Sequence, residues 1–487
     1  MAIFEREPKQ VLKFFEEISR IPRGSGNEKA ISTYLVDFAK KRGLEVKQDA
    51  ALNVVIYKPG SAGRENRPPL ILQSHMDMVC EKNAGTDHDF LKDPIALRVE
   101  GDFLYGTDTT LGADNGAGMA VSLALLDSDE AVHPPLEAVF TVEEETTMKG
   151  ISALDANWLK ARRMINMDSG NDTTFCVGCA GGGRLDFAVP VLREKISEDA
   201  GLGSGLVCKL LTVRGLAGGH SGVEIHLGNA NSIRTLGRAL EALRAELPIR
   251  IINVSGGLKA NAIPREADAV IAIPAAEVGK AEQLLAALQQ TLRTEYRVQD
   301  PGITLALGTA LECTMPFTSE SAQKVISAML LLPYGVLHMC HDIPDLVETS
   351  NNIGVMETTA EAVSFDCALR SSVSSRRILV SAQIRLLAEA LGAKVDFAHG
   401  YPGWTYNPDS PLLASAIAQY RETYKTEPNI EAIHAGLECG FMMEKIPDMD
   451  IISYCAELLD AHTPNEHMSI SSLEKIWSYT LSLLNRL

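Results

Sequence analysis

The 487-residue chain lacks the long hydrophobic runs of membrane proteins. No stretch approaches the ~18 consecutive apolar residues that a spanning helix needs, and the opening MAIFEREPKQ carries charges where a secretory signal has its apolar core. It also lacks an excess of positive charge, since 45 Lys and Arg stand against 63 Asp and Glu, for a net charge of -18. We therefore expect a soluble, cytoplasmic protein that binds neither nucleic acid nor membranes, with metal ions or small molecules as the favoured ligands.

Cysteine is too scattered for a disulfide-stabilised protein. The chain has nine cysteines, an odd number, spread from Cys80 to Cys455. Cys176 and Cys179 form a C-x-x-C pair, but no second pair completes a structural zinc site. Because buried cysteine usually behaves as a small apolar residue, we expect no redox or zinc role for this pair.

An apolar run over residues 70 to 72 leads to a polar end in which His75 and Asp77 follow Ser74. This pattern predicts a buried strand whose carboxyl end carries polar groups, where open α/β sheets keep their ligands. Residues i and i+2 of an extended chain share a face, so Asp77 can orient the His75 imidazole. Alone, such a pair is common outside functional sites.

Three later stretches carry carboxylates at comparable places. Asp114 lies in a glycine-rich turn before an Ala-rich helix, where it could also be a helix cap. The apolar run 136 to 142 ends in Glu143, Glu144 and Glu145, and a shorter run ends in Asp168. The three adjacent glutamates repel one another unless they are solvated or face a cation.

With a late histidine, His462 or His467, these residues form a ligand set of imidazole nitrogens and carboxylate oxygens without thiolates. Such a set suits zinc, cobalt or manganese. Two adjacent ions need a bridging carboxylate, and Asp114 fits that role. One further glutamate must stay off the metals as a general base, and spacing alone does not say which member of the triplet it is.

The chain divides by its sequence pattern. Residues 1–186 and 398–487 predict a discontinuous α/β catalytic domain of three layers with a mixed, mostly parallel sheet. Between them, residues 187–397 alternate strand patterns with amphipathic helices, which predicts an inserted α+β domain. We expect this insert to act as a lid or a dimerisation domain, which leaves a homodimer open.

Eight motifs in this order resemble those of the dinuclear-zinc aminoacylase and carnosinase-like metallopeptidases. They are HMDM, TTLGADNGAGM, EEE, INMDSG, GGHSG, NAIPREA, HAGLECG and HTPNEH. The resemblance implies two divalent ions, zinc above all, with cobalt or manganese able to substitute. The ligands it implies are His75 and Asp168 for one ion, Glu145 and His462 for the other, and Asp114 as the bridge.

The resemblance also implies roles away from the metals. Glu144 would be the general base, and Asp77 would orient His75. His220 in GGHSG would stabilise the oxyanion, and the substrate carboxylate would be bound by Asn261, Arg370 and Gly436. Because the motif has one extra glutamate, Glu143, the identity of the general base stays open by one position. His467 is expected to support the metal ligands or to have a structural role.

These features predict a dipeptidase that cleaves Xaa-His and related dipeptides, using a metal-bridged hydroxide and a glutamate base. One alternative is an aminoacylase or carboxypeptidase that acts on N-acyl amino acids or short peptides. A second is a non-catalytic metal-dependent binding protein of the same fold. A two-metal phosphoesterase is disfavoured because no basic cluster stands near the ligands in the sequence.

Overall fold

The computed structural model describes residues 6–195, 205–310, 315–398 and 400–487. The chain forms two compact units. Unit 1 comprises Met1–Gly178, Trp404–Ala432 and Leu437–Leu487, and unit 2 comprises Cys179–Gly403 and Ile433–Gly436. The predicted insert of 187–397 lies within unit 2, which also takes residues 179–186, 398–403 and 433–436, stretches that the sequence assigned to the catalytic domain. The role of unit 2 as a lid or dimerisation domain stays a prediction.

The helices and strands are given in chain order. The first part of unit 1 contains α1 (Lys9–Ser19), α2 (Lys29–Lys41), β1 (Glu45–Gln48), β2 (Val54–Lys58), β3 (Leu70–His75), β4 (Leu97–Glu100), β5 (Phe103–Gly106), α3 (Ala113–Asp127), β6 (Leu136–Thr141), α4 (Lys149–Ala153), β7 (Arg163–Asn166) and β8 (Thr174–Cys179).

The elements of unit 2 follow. They are β9 (Gly181–Pro190), β10 (Leu206–Arg214), β11 (Gly219–His220), α5 (Ser232–Glu246), β12 (Arg250–Gly256), β13 (Ala262–Ile263), β14 (Ala267–Pro274), α6 (Val278–Glu295), β15 (Thr304–Thr309), α7 (Ser319–Leu331), β16 (Gly335–Met339), β17 (Val347–Thr358), β18 (Ala362–Ser371), α8 (Ser374–Leu391) and β19 (Lys394–Phe397).

The last stretch returns to unit 1. It contains α9 (Pro411–Tyr424), β20 (Asn429–Ile433), α10 (Glu438–Lys445), β21 (Asp450–Ser453), β22 (Leu458–Leu459), β23 (His467–Ser469) and α11 (Ile470–Arg486).

Unit 1 is built on a mixed eight-stranded sheet of order β1-β2-β6-β3-β7-β21-β8-β20. The central strands β6, β3, β7 and β21 are parallel, whereas β1 and β2 pair antiparallel at one side. Every residue of β3 and β6 is buried, as expected for parallel strands covered on both faces. The predicted mixed α/β sheet is confirmed, and its parallel centre aligns the carboxyl ends of the strands.

Unit 2 has a second sheet, of order β15-β10-β14-β12-β17-β18-β9-β19, in which neighbouring strands pair antiparallel. Helices α5 to α8 bury one apolar stripe each in a core that includes Leu236, Leu285, Val325 and Ile384. The amphipathic helices predicted from the sequence are confirmed, to within a few residues at their ends. In the described part of the chain, no helix combines the length and the apolar character that a membrane crossing requires.

Candidate metal centre

His75 is the last residue of β3 and is almost wholly buried. Its Nε2 lies 2.9 Å from Asp114 Oδ1 and 3.5 Å from Asp168 Oδ1. Asp168 follows the end of β7, the parallel neighbour of β3. The shared edge of the sheet therefore brings one histidine and two carboxylates together.

Asp114 comes from the glycine-rich turn that opens α3, after Gly112 with its left-handed φ of 71°. Its Oδ1 faces His75, and its Oδ2 lies 3.3 Å from Nε2 of His462. His462 is also 3.0 Å from Glu145 Oε1. One carboxylate thus lies between two histidines, each with a further carboxylate beside it.

The donor atoms form three overlapping groups, each within 4.8 Å. They are His75 with Asp114 and Asp168, Asp114 with Glu145 and His462, and His75 with Glu144 and Glu145. Imidazole nitrogen and carboxylate oxygen are ligands that zinc and related divalent ions accept. The residues fit two cations that share Asp114.

The electrostatics of this cluster suit bound cations. Burial, with Asp114 and Glu145 adding to it, raises the pKa of Asp168 to about 6. Hydrogen bonds to Asp114 and Glu145 raise the pKa of His462 to about 10. Burial alone would lower the pKa of His75, but the surrounding carboxylates raise it well above its usual value. Without metal, protons on histidine compensate the crowded carboxylates, and a cation would take their place.

The three adjacent glutamates have different environments. Glu144 and Glu145 converge on His75. Glu143 turns away, because its carboxylate accepts a 2.7 Å hydrogen bond from Thr147 and lies 3.7 Å from Lys149 Nζ. Burial, with neighbouring carboxylates adding to it, raises the pKa of Glu144 well above its usual value. Glu144 is therefore a half-buried member of the triplet whose surroundings favour the protonated carboxyl group.

Asp77 lies beneath these groups and is fully buried. It accepts hydrogen bonds from the Ser25 hydroxyl at 2.7 Å and from the backbone N–H groups of Glu144 and Glu145 at 3.1 and 3.2 Å. Its Oδ1 is 3.4 Å from His75 Nδ1. This one carboxylate supports both the histidine and the glutamate loop.

Two buried charged residues that brace the site were missed by the sequence reasoning. Glu466 accepts backbone N–H bonds from all four residues over 111–114, at 2.8 to 3.4 Å. Arg23 donates to the carbonyl oxygens of Met76, Asp77 and Gly112. Glu466 stands in HTPNEH and Arg23 in IPRGSG, so charged residues inside or near the motifs were the available signal.

His467 is absent from the three donor groups found among the described residues. Its ring stacks on Tyr105, with centroids 4.8 Å apart, and meets Phe103 edge-on. This packing within the small sheet of β4, β5, β22 and β23 gives His467 a structural environment.

The residues predicted to contact substrate lie in unit 2. His220 ends β11, and its Nδ1 accepts backbone N–H bonds from Gly222 and Val223 at 3.2 Å each. A neutral ring with Nδ1 as acceptor carries its proton on Nε2, so that nitrogen is a donor. Burial and the nearby Arg370 lower the pKa of His220. Asn261 is exposed, and its carbonyl oxygen accepts the N–H of Ser221.

Arg370 on β18 is 8% exposed and donates to the Tyr401 hydroxyl at 2.9 Å. The Tyr401 ring covers Gly436, where an added Cβ would meet it at 2.6 Å. His434, a residue that the sequence reasoning missed, is buried nearby with its Nε2 2.7 Å from Ser350 Oγ. Unit 2 thus groups Arg370 with Gly436 through Tyr401.

The mixed sheet and its strand-end cluster of carboxylates and histidines are typical of metal-dependent hydrolases. The comparison with known families identifies the family. Residues 71–486 match the profile described as Peptidase family M20/M25/M40. The chain belongs to this family and is a peptide hydrolase. This confirms the family predicted from the eight motifs.

Two relatives that cover nearly the whole chain are 37% identical to it. The cytosol non-specific dipeptidase of Escherichia coli strain K12 is 37% identical over 480 residues, which are 99% of this chain and 98% of the relative. The crystal structure of aminoacylhistidine dipeptidase from Vibrio alginolyticus matches with a TM-score of 0.93 at 37% identity, over 99% of this chain and 98% of the other. Aminopeptidase PepT from Bacillus cereus, 14% identical over 98% of each chain with a TM-score of 0.56, shares the fold.

Proposed function

We propose that this protein is a cytoplasmic dipeptidase that hydrolyses Xaa-His and related dipeptides with two divalent cations, zinc above all. The observation that carries the proposal is Asp114, whose two oxygens face His75 and His462. Similarity over nearly the full length to two proteins named as dipeptidases supports the substrate class. The name of the Escherichia coli relative supports the location.

The cation ligands in this proposal are those with converging donor atoms. His75 and Asp168 would hold one ion, Glu145 and His462 the other, and Asp114 would contact both. Bound there, the ions would polarise the scissile carbonyl and make a nearby water acidic.

Glu144 serves as the proton carrier. It would accept the proton of the attacking water and deliver it to the leaving amine, which requires a carboxyl group that stays off the metals. A raised pKa suits this exchange because it brings the carboxyl group closer to the operating pH.

The unit 2 residues would bind the substrate. The Nε2–H of His220 would donate to the oxyanion that develops on the carbonyl. The Arg370 guanidinium, Asn261 and the backbone at Gly436 would hold the free carboxylate of the dipeptide. Because these residues require a free carboxylate on the substrate, they would restrict the enzyme to short peptides.

The proposal is tested with the purified chain and a chelator. Demetallated protein should lose dipeptide hydrolysis, and zinc or cobalt should restore it at two ions per chain. Activity that persists in fully demetallated protein would contradict the proposal.

A substrate panel separates the alternatives. Xaa-His dipeptides should be cleaved with higher kcat/KM than tripeptides and N-acetyl amino acids. Preference for N-acetyl amino acids or longer peptides would identify an aminoacylase or carboxypeptidase instead. Metal binding with no turnover of any substrate would indicate a binding protein.

A homodimer formed through unit 2 stays a prediction. Sedimentation equilibrium of the metal-loaded chain tests it, with twice the 52.7 kDa chain mass expected for a dimer.

A further inference from the structure

Polar side chains lie directly behind the strand-end cluster. Gln73 on β3 precedes His75 by two residues, and Asn166 on β7 precedes Asp168 by two. In an extended chain residues i and i+2 share a face, so Gln73 points to the same side as His75, and Asn166 to the same side as Asp168. Gln73 pairs in register with Asn166, and Asn166 with Ser453 on β21. All three side chains are fully buried.

These side chains form a continuous chain of hydrogen bonds in which each side chain donates to the next. The Ser453 hydroxyl donates to Asn166 Oδ1 at 2.6 Å, and the Asn166 amide donates to Gln73 Oε1. The Gln73 amide and the Thr141 hydroxyl both donate to Oε2 of Glu438, the latter at 2.7 Å. We call these five residues the polar belt, and Glu438 is its final acceptor.

Glu438 stands in the first turn of α10 and is fully buried. Among the described residues its second oxygen, Oε1, has no hydrogen-bond partner. In such a place a carboxylate without a compensating charge is more costly than a neutral carboxylic acid. Burial accordingly raises the pKa of Glu438 to about 8. Oε2 can accept both hydrogen bonds in either protonation state.

We propose that Glu438 is a positioning residue of the metal centre, because it closes the polar belt that aligns the ends of β3, β6 and β7. This inference rests on the proposed two-cation function. Without Glu438, the Gln73 amide and the Thr141 hydroxyl would lose a buried acceptor, and both would be free to reorient. The strand ends that carry His75 and the glutamate loop would then be less well ordered for metal binding.

The test compares Glu438→Ala with Glu438→Gln and with a matched buried control. In Glu438→Gln, the amide oxygen can accept both bonds and the NH₂ group takes the place of Oε1. Glu137→Ala is the control, because Glu137 is also a buried glutamate of unit 1 but accepts N–H bonds from Lys160 and Ala161 near the start of β6. The readouts are zinc affinity by calorimetry, kcat for a dipeptide, and the unfolding midpoint.

Glu438→Ala should weaken zinc binding at one or both positions by about 10- to 100-fold, as for groups that support metal ligands. Glu438→Gln should restore zinc affinity and kcat to within about 3-fold of wild type, a rescue expected if a neutral acceptor is sufficient. Glu137→Ala should lower the unfolding midpoint without changing zinc affinity. Wild-type zinc affinity in folded Glu438→Ala, or a Glu438→Gln variant as defective as Glu438→Ala, would overturn the inference.

If Glu438→Ala does not fold, Thr141→Val keeps the shape of the belt and removes one donor to Glu438. It should weaken zinc binding by about 3- to 10-fold, less than the loss of a whole supporting group, and unchanged affinity would overturn the inference. The wild-type titration separates the two proposals. Fewer than two ions in wild type contradicts the proposed function, whereas two ions in wild type with unchanged variants contradicts only the role of Glu438.

Discussion

Two histidines, the exposed His462 of unit 1 and the buried His434 of unit 2, have opposite electrostatic environments. In unit 1, hydrogen bonds to Asp114 and Glu145 raise the pKa of His462 to about 10. In unit 2, burial and the proximity of Arg370 lower the pKa of His434 to about 3. The first environment favours positive charge and the second disfavours it. This contrast is consistent with the proposals that the carboxylates around His462 bind cations and that the Arg370 region binds the substrate carboxylate.

The largest effect should come from the base in the cation-binding unit. Glu144→Gln should keep both metals and lose about 10³-fold or more in kcat, because the variant cannot accept the proton of the attacking water. Steady-state kinetics with metal analysis checks this. Glu143→Gln is the matched control and should stay within about 3-fold of wild type, since Glu143 pairs with Thr147 and Lys149 instead. Near-normal turnover in Glu144→Gln would contradict the assignment of Glu144 as the general base.

The next effect concerns the donor of unit 2. His220→Ala should lower kcat by about 10²- to 10³-fold, the usual loss for one oxyanion donor. Metal content should not change, since His220 belongs to no donor group of unit 1. Kinetics and metal analysis of the same sample check this prediction. A loss of bound metal in His220→Ala would contradict a role for His220 that is separate from metal binding.

The anion-binding character of unit 2 is tested at Arg370. Arg370→Ala should raise KM for dipeptides by about 10- to 100-fold, because a charge-assisted bond to the substrate carboxylate is lost. A dipeptide amide, which lacks that carboxylate, should show little change. Arg184→Ala on the neighbouring strand β9 is the control, since Arg184 is exposed and is already paired with Asp366. An equal loss for dipeptide and dipeptide amide would argue against carboxylate recognition.

The smallest effect is on stability and concerns His434. The unfolded chain protonates this histidine near pH 6.5, whereas the folded chain does so only near pH 3. Between these values the unfolded state binds more protons, so the free energy of unfolding falls as the pH falls, by about 2 kcal/mol from pH 6.5 to pH 5. Urea unfolding at both pH values should show a shallower dependence for His434→Gln. The same pH dependence of the unfolding free energy in wild type and in His434→Gln would contradict the lowered pKa of His434.

The sequence predicted the parts of the site that local pattern determines. An apolar run that ends in His75 or Asp168 identifies a strand end, and parallel strands align such ends, so their convergence could be predicted. The amphipathic helices of the insert followed in the same way from the spacing of their apolar residues. The resemblance assigned roles to Glu144 and Glu145, but spacing alone could not show that these two glutamates face the site. That depends on Glu143 turning toward Thr147 and Lys149.

The supporting residues were beyond local pattern for a related reason. Glu466 binds a turn more than 350 residues earlier in the chain, and Glu438 meets Gln73 across a separation of 365 residues. Isolated glutamates of this kind look like surface residues until the fold buries them. The assignment of 433–436 to unit 2 likewise depends on pairing that residues close in sequence do not reveal.

Asp114 is proposed to lie between two cations and to contact both. A crystal structure of the zinc-loaded chain with anomalous data at the zinc edge is the decisive experiment. We expect two peaks about 3.5–4 Å apart, one on each side of the Asp114 carboxylate. One peak alone, or peaks that do not contact Asp114, would contradict this proposal.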